Sequence, residues 1–233
     1  MKIEILQLIE GARQARGLTV IIDVFRAMTV ESFLLSRGAE KLFPVGDVQV
    51  ARSYKASHPD AILCGERGGA IIEGFDFGNS PSAVEHLDFT GKTIVHTTSA
   101  GTQGIANATG ADEILGGCLC NAEATAQYIK TKNPEYVSLV CMGLAGERPT
   151  DEDTLCALYI KSLLEGNPLE DMDARVANLK RTDGAKFFDE AQQSVFPQRD
   201  FDLCTMVGAC PFVLRLTHDS ESGMDRMERV EVN

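Results

Sequence analysis

Asp23 closes the apolar run Val20-Ile21-Ile22, and Arg26 follows three residues later. The run is short and β-branched, which suits a buried strand. The residues from Ala27 to Leu35 have helical character. A carboxylate and a guanidinium therefore stand where a strand gives way to a helix. In open α/β sheets ligands bind beyond the carboxyl ends of the strands, so the pair is placed to hold a cation and an anion together. The competing reading is an Asp that caps the helix and an Arg in a surface ion pair.

The same arrangement recurs down the chain. The strand Ala61–Cys64 runs into Gly65-Glu66-Arg67-Gly68-Gly69. The strand Lys92–His96 runs into Thr97-Thr98-Ser99-Ala100-Gly101-Thr102. Asn121 heads a further helix, and Glu147, Arg148, Asp151, Glu152 and Asp153 follow the strand Tyr136–Cys141. Carboxylates without a companion His cluster favour a hard divalent cation. Mg²⁺ takes few protein ligands and completes its shell with water and phosphate. Asp23, Glu66, Glu152 and Asp153 are the candidate ligands; Asp23, Arg26, Glu66 and Asp153 form the expected catalytic group.

Residues 97–104 combine glycines, hydroxyls and a helix start, which predicts an anion cradle of backbone N–H groups. A Thr/Ser-capped turn is the alternative. The Lys-Ser/Thr ending of a P-loop is absent, as is a dinucleotide fingerprint after the first strand. Arg26, Arg67 and Arg148 are candidates to clamp an acidic substrate, and Asn79-Ser80-Pro81 to close the rim. Thr97, Thr98, Ser99, Gly101, Thr102 and Asn121 complete the expected substrate-binding set. Of the four histidines none has the company of a nucleophilic triad, and His96 is expected to be buried and paired. Cys118 lacks the Cys-x5-Arg loop of a cysteine phosphatase.

The elements that must position these residues read as repeated strand–loop–helix units, the pattern of an α/β sheet protected by helices. Met1–Leu8 is expected as a strand near a sheet edge, and residues 11–17 as a basic link. Helices are expected over 27–37, 47–57, 103–108, 122–131, 152–165 and 173–180. Asp47 caps the second, with Val50, Ala51 and Tyr54 on one face. Asn121 caps the fourth, and Thr150 or Asp151 the fifth. Gly38 stops the first helix. Residues 70–82 look irregular. Residues 212–216 suit a last strand or a covering helix, and the charged end is expected to fray. One domain accounts for the chain, with a change of character from about 167.

The chain has 233 residues and a formal net charge of -12. That balance argues against a general nucleic-acid binder, which needs a basic surface. No apolar stretch approaches transmembrane length, and the N-terminus lacks a secretory pattern. Seven cysteines, mostly in apolar contexts, suit reduced thiols in a cytoplasm.

In combination the chain resembles the 2-phosphosulfolactate phosphatases of the ComB family. The matching segments are Ile22–Ala27, Gly65-Glu66, Gly78-Asn79-Ser80-Pro81, the run Thr97–Thr102, Asn121-Ala122 and Glu152-Asp153. They fall in order along nearly the whole chain. Two departures stand out: Ser99-Ala100 occupies the place of a single Asn before Gly101, and Met28 stands where Thr or Ser is usual. The resemblance implies a three-layer α/β/α fold with a mixed central sheet. It implies Mg²⁺-dependent removal of phosphate from (R)-2-phospho-3-sulfolactate, a step of coenzyme M biosynthesis in methanogens with relatives in other bacteria. The partner is then a small anionic phosphorylated substrate, with a homo-oligomer the mild expectation. Two rival functions are a metal- or anion-binding protein without turnover, and a lyase or isomerase acting on a phosphorylated small acid.

Overall fold

β1 (Lys2–Gln7), α1 (Leu8–Gln14) and β2 (Gly17–Ile22) open the chain in a computed structural model that describes residues 1–232. α2 (Ala27–Ser36), β3 (Lys41–Pro44), α3 (Val48–Ser57), β4 (Ile62–Arg67) and the two-residue β5 (Ala70–Ile71) follow. Next come α4 (Pro81–Val84), β6 (Thr93–Thr97), α5 (Gly101–Asn107), β7 (Ala111–Gly117), α6 (Ala122–Lys132) and β8 (Tyr136–Cys141). α7 (Asp151–Glu165), α8 (Met172–Leu179), α9 (Gln198–Cys204), β9 (Phe212–Asp219) and β10 (Met224–Glu231) complete it.

The strands form one mixed sheet in the order β1-β8-β2-β7-β9-β10-β3-β6-β4-β5. β1, β8, β2 and β7 are mutually parallel, as are β3, β6 and β4. The antiparallel hairpin β9–β10 lies between these two blocks. Its contacts with them are narrow: β9 pairs with β7 at two positions and β10 meets β3 at one. Helices shield the sheet, consistent with three layers. β2 shows why the parallel strands read as unbroken apolar runs. It is flanked by β7 and β8, and Leu18 through Ile22 are buried on both faces.

α2 is buried almost all round, including Thr29, Glu31 and Ser32. A helix without a polar face belongs in the interior. It ends as the sequence predicts: Gly38 takes φ 90°, and a side chain there would meet Thr90 Oγ1 at 2.7 Å. Asp47 caps α3 by accepting from the Gln49 N–H at 2.8 Å, whereas Val50 faces solvent and only Ala51 of the expected stripe is fully buried.

Two stretches fold differently from the sequence expectation. Residues 8–14 form a helix rather than a link. Gly11 lets it press on β1, for a side chain at that position would come within 3.0 Å of Leu6. A seven-residue helix with an internal Gly carries little propensity of its own and forms through packing. The charged end does not fray. β10 pairs with β9 over eight positions, Met227 points into the core, and the charges sit in pairs such as Arg215–Glu228 and Arg226–Glu228. All seven cysteines are buried and free, and no helix of the described residues is long and apolar enough to cross a membrane.

Candidate active site

β2 delivers Asp23 to the first turn of α2. The carboxylate is 5% exposed, and its Oδ1 accepts from the Ala27 N–H at 3.0 Å. The Gly101 N–H, at the start of α5, also holds it. Only glycine fits at 101: a Cβ there would lie 2.7 Å from Ala27 Cβ and 2.9 Å from Asp23 Oδ2. Burial pushes the Asp23 carboxyl up to about 6, and the charge of Glu66 adds to the rise.

Arg26 is not at the surface. It is 3% exposed and ion-paired at 2.8 Å with Asp200, which is fully buried on α9. The same guanidinium donates to the carbonyls of Val195 at 2.8 Å and Gly69 at 3.2 Å and lies over the Phe196 ring. The second oxygen of Asp200 accepts from Ser80 Oγ at 2.8 Å and from the Ser82 N–H at 3.0 Å. Asp200 thus ties together the strand-end arginine, the start of α4 and α9. An acid in the pattern Asp200-Phe201-Asp202-Leu203-Cys204 carries no sequence signal for that role.

Glu66 stands one residue before the end of β4, and each of its oxygens accepts from a backbone N–H. Oε1 accepts from the Ser99 N–H at 2.6 Å, and Oε2 from the Gly69 N–H at 2.7 Å and Ser99 Oγ at 3.2 Å. The expected anion cradle is therefore already engaged. The Ser99 amide serves Glu66 and the Gly101 amide serves Asp23. Those of Thr98 and Thr102 are bonded to the hydroxyls of Thr102 and Thr98. Thr97 accepts from Arg67, whose other bonds go to the Glu66 and Gly46 carbonyls.

The start of α7 supplies the remaining acids. Asp153 is 2% exposed and bridges two strand ends, accepting from the Val24 N–H and the Gly143 N–H, each at 2.8 Å. Burial holds its carboxyl well above the usual range, with Glu152 and Asp23 reinforcing the effect. Glu152 is 3% exposed, and its Oε2 makes no hydrogen bond. Burial raises it to about 7, against the opposing influence of Lys186. Thr150 precedes α7 without capping it through its side chain; the Asp151 N–H is instead held by Asp183.

These groups surround a cavity of about 320 Å³. Asp23, Arg26, Glu66, Asn79, Ser99 and Glu152 line it among the residues expected from sequence. Asn79 is oriented by His96, which contacts it at 3.2 Å and pairs with Glu31 at 2.8 Å, buried as expected. Asp153, Thr97, Thr98, Gly101 and Thr102 support the lining from behind, and Ser80 supports it through Asp200. Three expected residues do not reach it. Asn121 is fully buried and holds the β7–α6 turn through the Cys118 N–H and the Gly116 carbonyl, without capping α6 through its side chain. Arg148 is exposed and paired with Asp183 at 2.6 Å, and Arg67 points to Thr97. The lining also contains Phe25, Lys186 and Phe196, which strand-tip reasoning misses.

A hard cation is a fair fit to part of this set. No group of three or more His, Cys, Asp or Glu able to hold a metal occurs among the described residues. Glu66 already accepts three hydrogen bonds, and Asp153, held by two amides, lies behind the lining. Glu152 keeps an unbonded buried oxygen, and Asp23 faces the same cavity. One or two carboxylates suffice for Mg²⁺, which retains water and takes substrate oxygens.

The family described as 2-phosphosulpholactate phosphatase matches residues 3–217. The chain belongs to that family. A probable 2-phosphosulfolactate phosphatase of Bacillus subtilis is 30% identical over 215 residues, 91% of this chain and 92% of the relative. Proteins of the same description from Caldicellulosiruptor saccharolyticus and Clostridium acetobutylicum are 40% identical over 152 residues and 39% identical over 167. The first comparison covers 64% of this chain and 62% of the relative, the second 71% and 67%. The family's matched span includes every lining residue of the cavity.

Proposed function

We propose that the protein hydrolyses the phosphate ester of (R)-2-phospho-3-sulfolactate to 3-sulfolactate and inorganic phosphate, with Mg²⁺ as cofactor. The supporting observation is one cavity in which Asp23, Glu66 and Glu152 meet from β2, β4 and α7, in a chain that matches this phosphatase family almost end to end. Glu152, whose Oε2 is unbonded, would hold the cation, which when bound neutralises charge on the phosphoryl oxygens. Asp23, whose proton affinity is raised by burial, takes a proton from the attacking water. Water adds to phosphorus, the bond from phosphorus to the C2 oxygen breaks, and that oxygen leaves as the alcohol with a proton drawn from solvent, while Asp23 returns its own proton to solvent. Glu66 and Asp153 hold the surrounding backbone in register. Arg26, fixed by Asp200, brings its positive charge to the cavity wall. A cytoplasmic setting suits the seven free, buried thiols.

The test is incubation of the metal-stripped protein with phosphosulfolactate, with and without Mg²⁺, following free phosphate and product mass. Phosphate and sulfolactate should appear with Mg²⁺ alone. A product that keeps its phosphate would replace hydrolysis by a lyase or isomerase reaction, and protection against melting without turnover would leave only a binding role.

A further inference from the structure

Lys186 sits in a short helical turn, Ala185–Phe188, and its side chain enters the cavity wall. Three phenyl rings surround the ammonium: its Nζ lies 5.1 Å from the ring centre of Phe196, 5.5 Å from Phe187 and 5.8 Å from Phe25. Among the described residues it makes no side-chain hydrogen bond and no ion pair. The other cation of the cavity is already committed, since Arg26 is shared between Asp200 and two carbonyls. Lys186 therefore brings three unspent donors and a full charge to the cavity.

We propose that Lys186 binds the sulfonate of the substrate and so sets the specificity of the site. The proposal rests on the phosphatase reading above. Three anionic groups must be received. The phosphate gathers charge during the reaction and needs a dense set of donors or a metal, which belongs with Asp23 and Glu152. A carboxylate is best met by a planar pair of donors. A sulfonate spreads one charge over three oxygens and is weakly hydrated, so it tolerates an apolar wall best. Phenyl rings offer no hydrogen bonds, yet their faces favour a cation. The box thus keeps Lys186 aimed without supplying it with a hydrogen-bonding partner. A lysine placed only to balance Glu152 would be drawn into contact with it; here that influence acts at a distance.

The experiment compares phosphosulfolactate with 2-phospholactate, which has the same phosphate and carboxylate but no sulfonate, on wild type, Lys186→Met and Lys186→Arg. Lys186→Met should raise KM for phosphosulfolactate by about tenfold to a hundredfold, with kcat much less affected. The loss should exceed that for phospholactate by at least about tenfold, and Lys186→Arg should recover part of it. Equal losses on both substrates, or no loss on either, overturn the proposal. Protection against thermal unfolding by 3-sulfolactate, relative to lactate, is read on the same proteins without turnover. It should be present in wild type and absent in Lys186→Met; retained protection in the variant overturns the proposal. A wild type that releases no phosphate from phosphosulfolactate in Mg²⁺ defeats the phosphatase reading instead, and the melting comparison still decides the role of Lys186.

Discussion

Asp23 and Asp200 illustrate two different ways in which a buried carboxylate is held. Asp23 is bound by two amides and keeps a face toward the cavity, whereas Asp200 has both oxygens consumed by Arg26, Ser80 and Ser82. Substitution should separate them. Asp23→Asn preserves shape and removes the proton acceptor, so kcat should fall by about 10²- to 10⁴-fold while circular dichroism and the melting transition stay close to wild type. A folded Asp23→Asn protein with full Mg²⁺-dependent activity would remove Asp23 from the chemistry. Asp200→Ala leaves Arg26 charged and unpaired in the interior, which should cost about 3–5 kcal/mol in a urea titration and lower activity along with stability. At this scale the sequence reveals what strand ends reveal. Asp23, Glu66 and Glu152 are legible because each follows an apolar run or opens a helix. Lys186, Phe196 and Asp200 are not, because they come from a four-residue turn, a loop and a seven-residue helix, pieces too short for periodicity to point to a cavity.

Among the elements, the α5 entry is the one on which the site leans most. Gly101 touches both α2 and Asp23, so its lack of a side chain is a packing requirement rather than a need for unusual backbone. Gly101→Ala should push Ala27 and Asp23 apart, costing about 1–3 kcal/mol and most of the activity. Gly166 is the useful contrast. It closes α7 at φ 76°, and a Cβ added there would meet nothing within 4 Å. Gly166→Ala should cost only about 1–2 kcal/mol of left-handed backbone strain and leave phosphate release intact. Equal activity losses in the two proteins would mean that the crowding at Gly101 is not what positions Asp23. Most elements of the sheet are readable from apolar runs. α1 is not, because its seven residues form through contact with β1, nor is β10, whose alternation is carried mostly by charges paired on an exposed face.

Across the whole molecule, the C-terminal third supplies both the middle of the sheet and one wall of the cavity. Residues 185–204 reach the wall from outside the strand ends and are fastened at two places. One is the buried Arg26–Asp200 pair; the other is Arg199, which meets Glu85 with two hydrogen bonds of 3.1 and 2.8 Å. Glu85 lies just past α4, and its side chain is 9% exposed, while that of Arg199 is 52% exposed. The hydrogen bonds and charge of Arg199 hold the Glu85 carboxyl below its usual range. A carboxyl lowered in the folded state adds stability above its unfolded value of about 4.3, and that stability disappears as pH falls through the lowered folded value. Solvent around the arginine limits the contribution to about 1 kcal/mol. Glu85→Gln should therefore unfold at lower urea than wild type at pH 7, and the two curves should converge once pH has fallen below the lowered folded value. Amides of 185–204 should exchange faster in the variant at pH 7, because one of the two fastenings is weakened. A stability gap that persists unchanged at low pH would assign the contact to packing rather than charge, and the wall of the cavity would then depend on Asp200 alone for its electrostatic attachment.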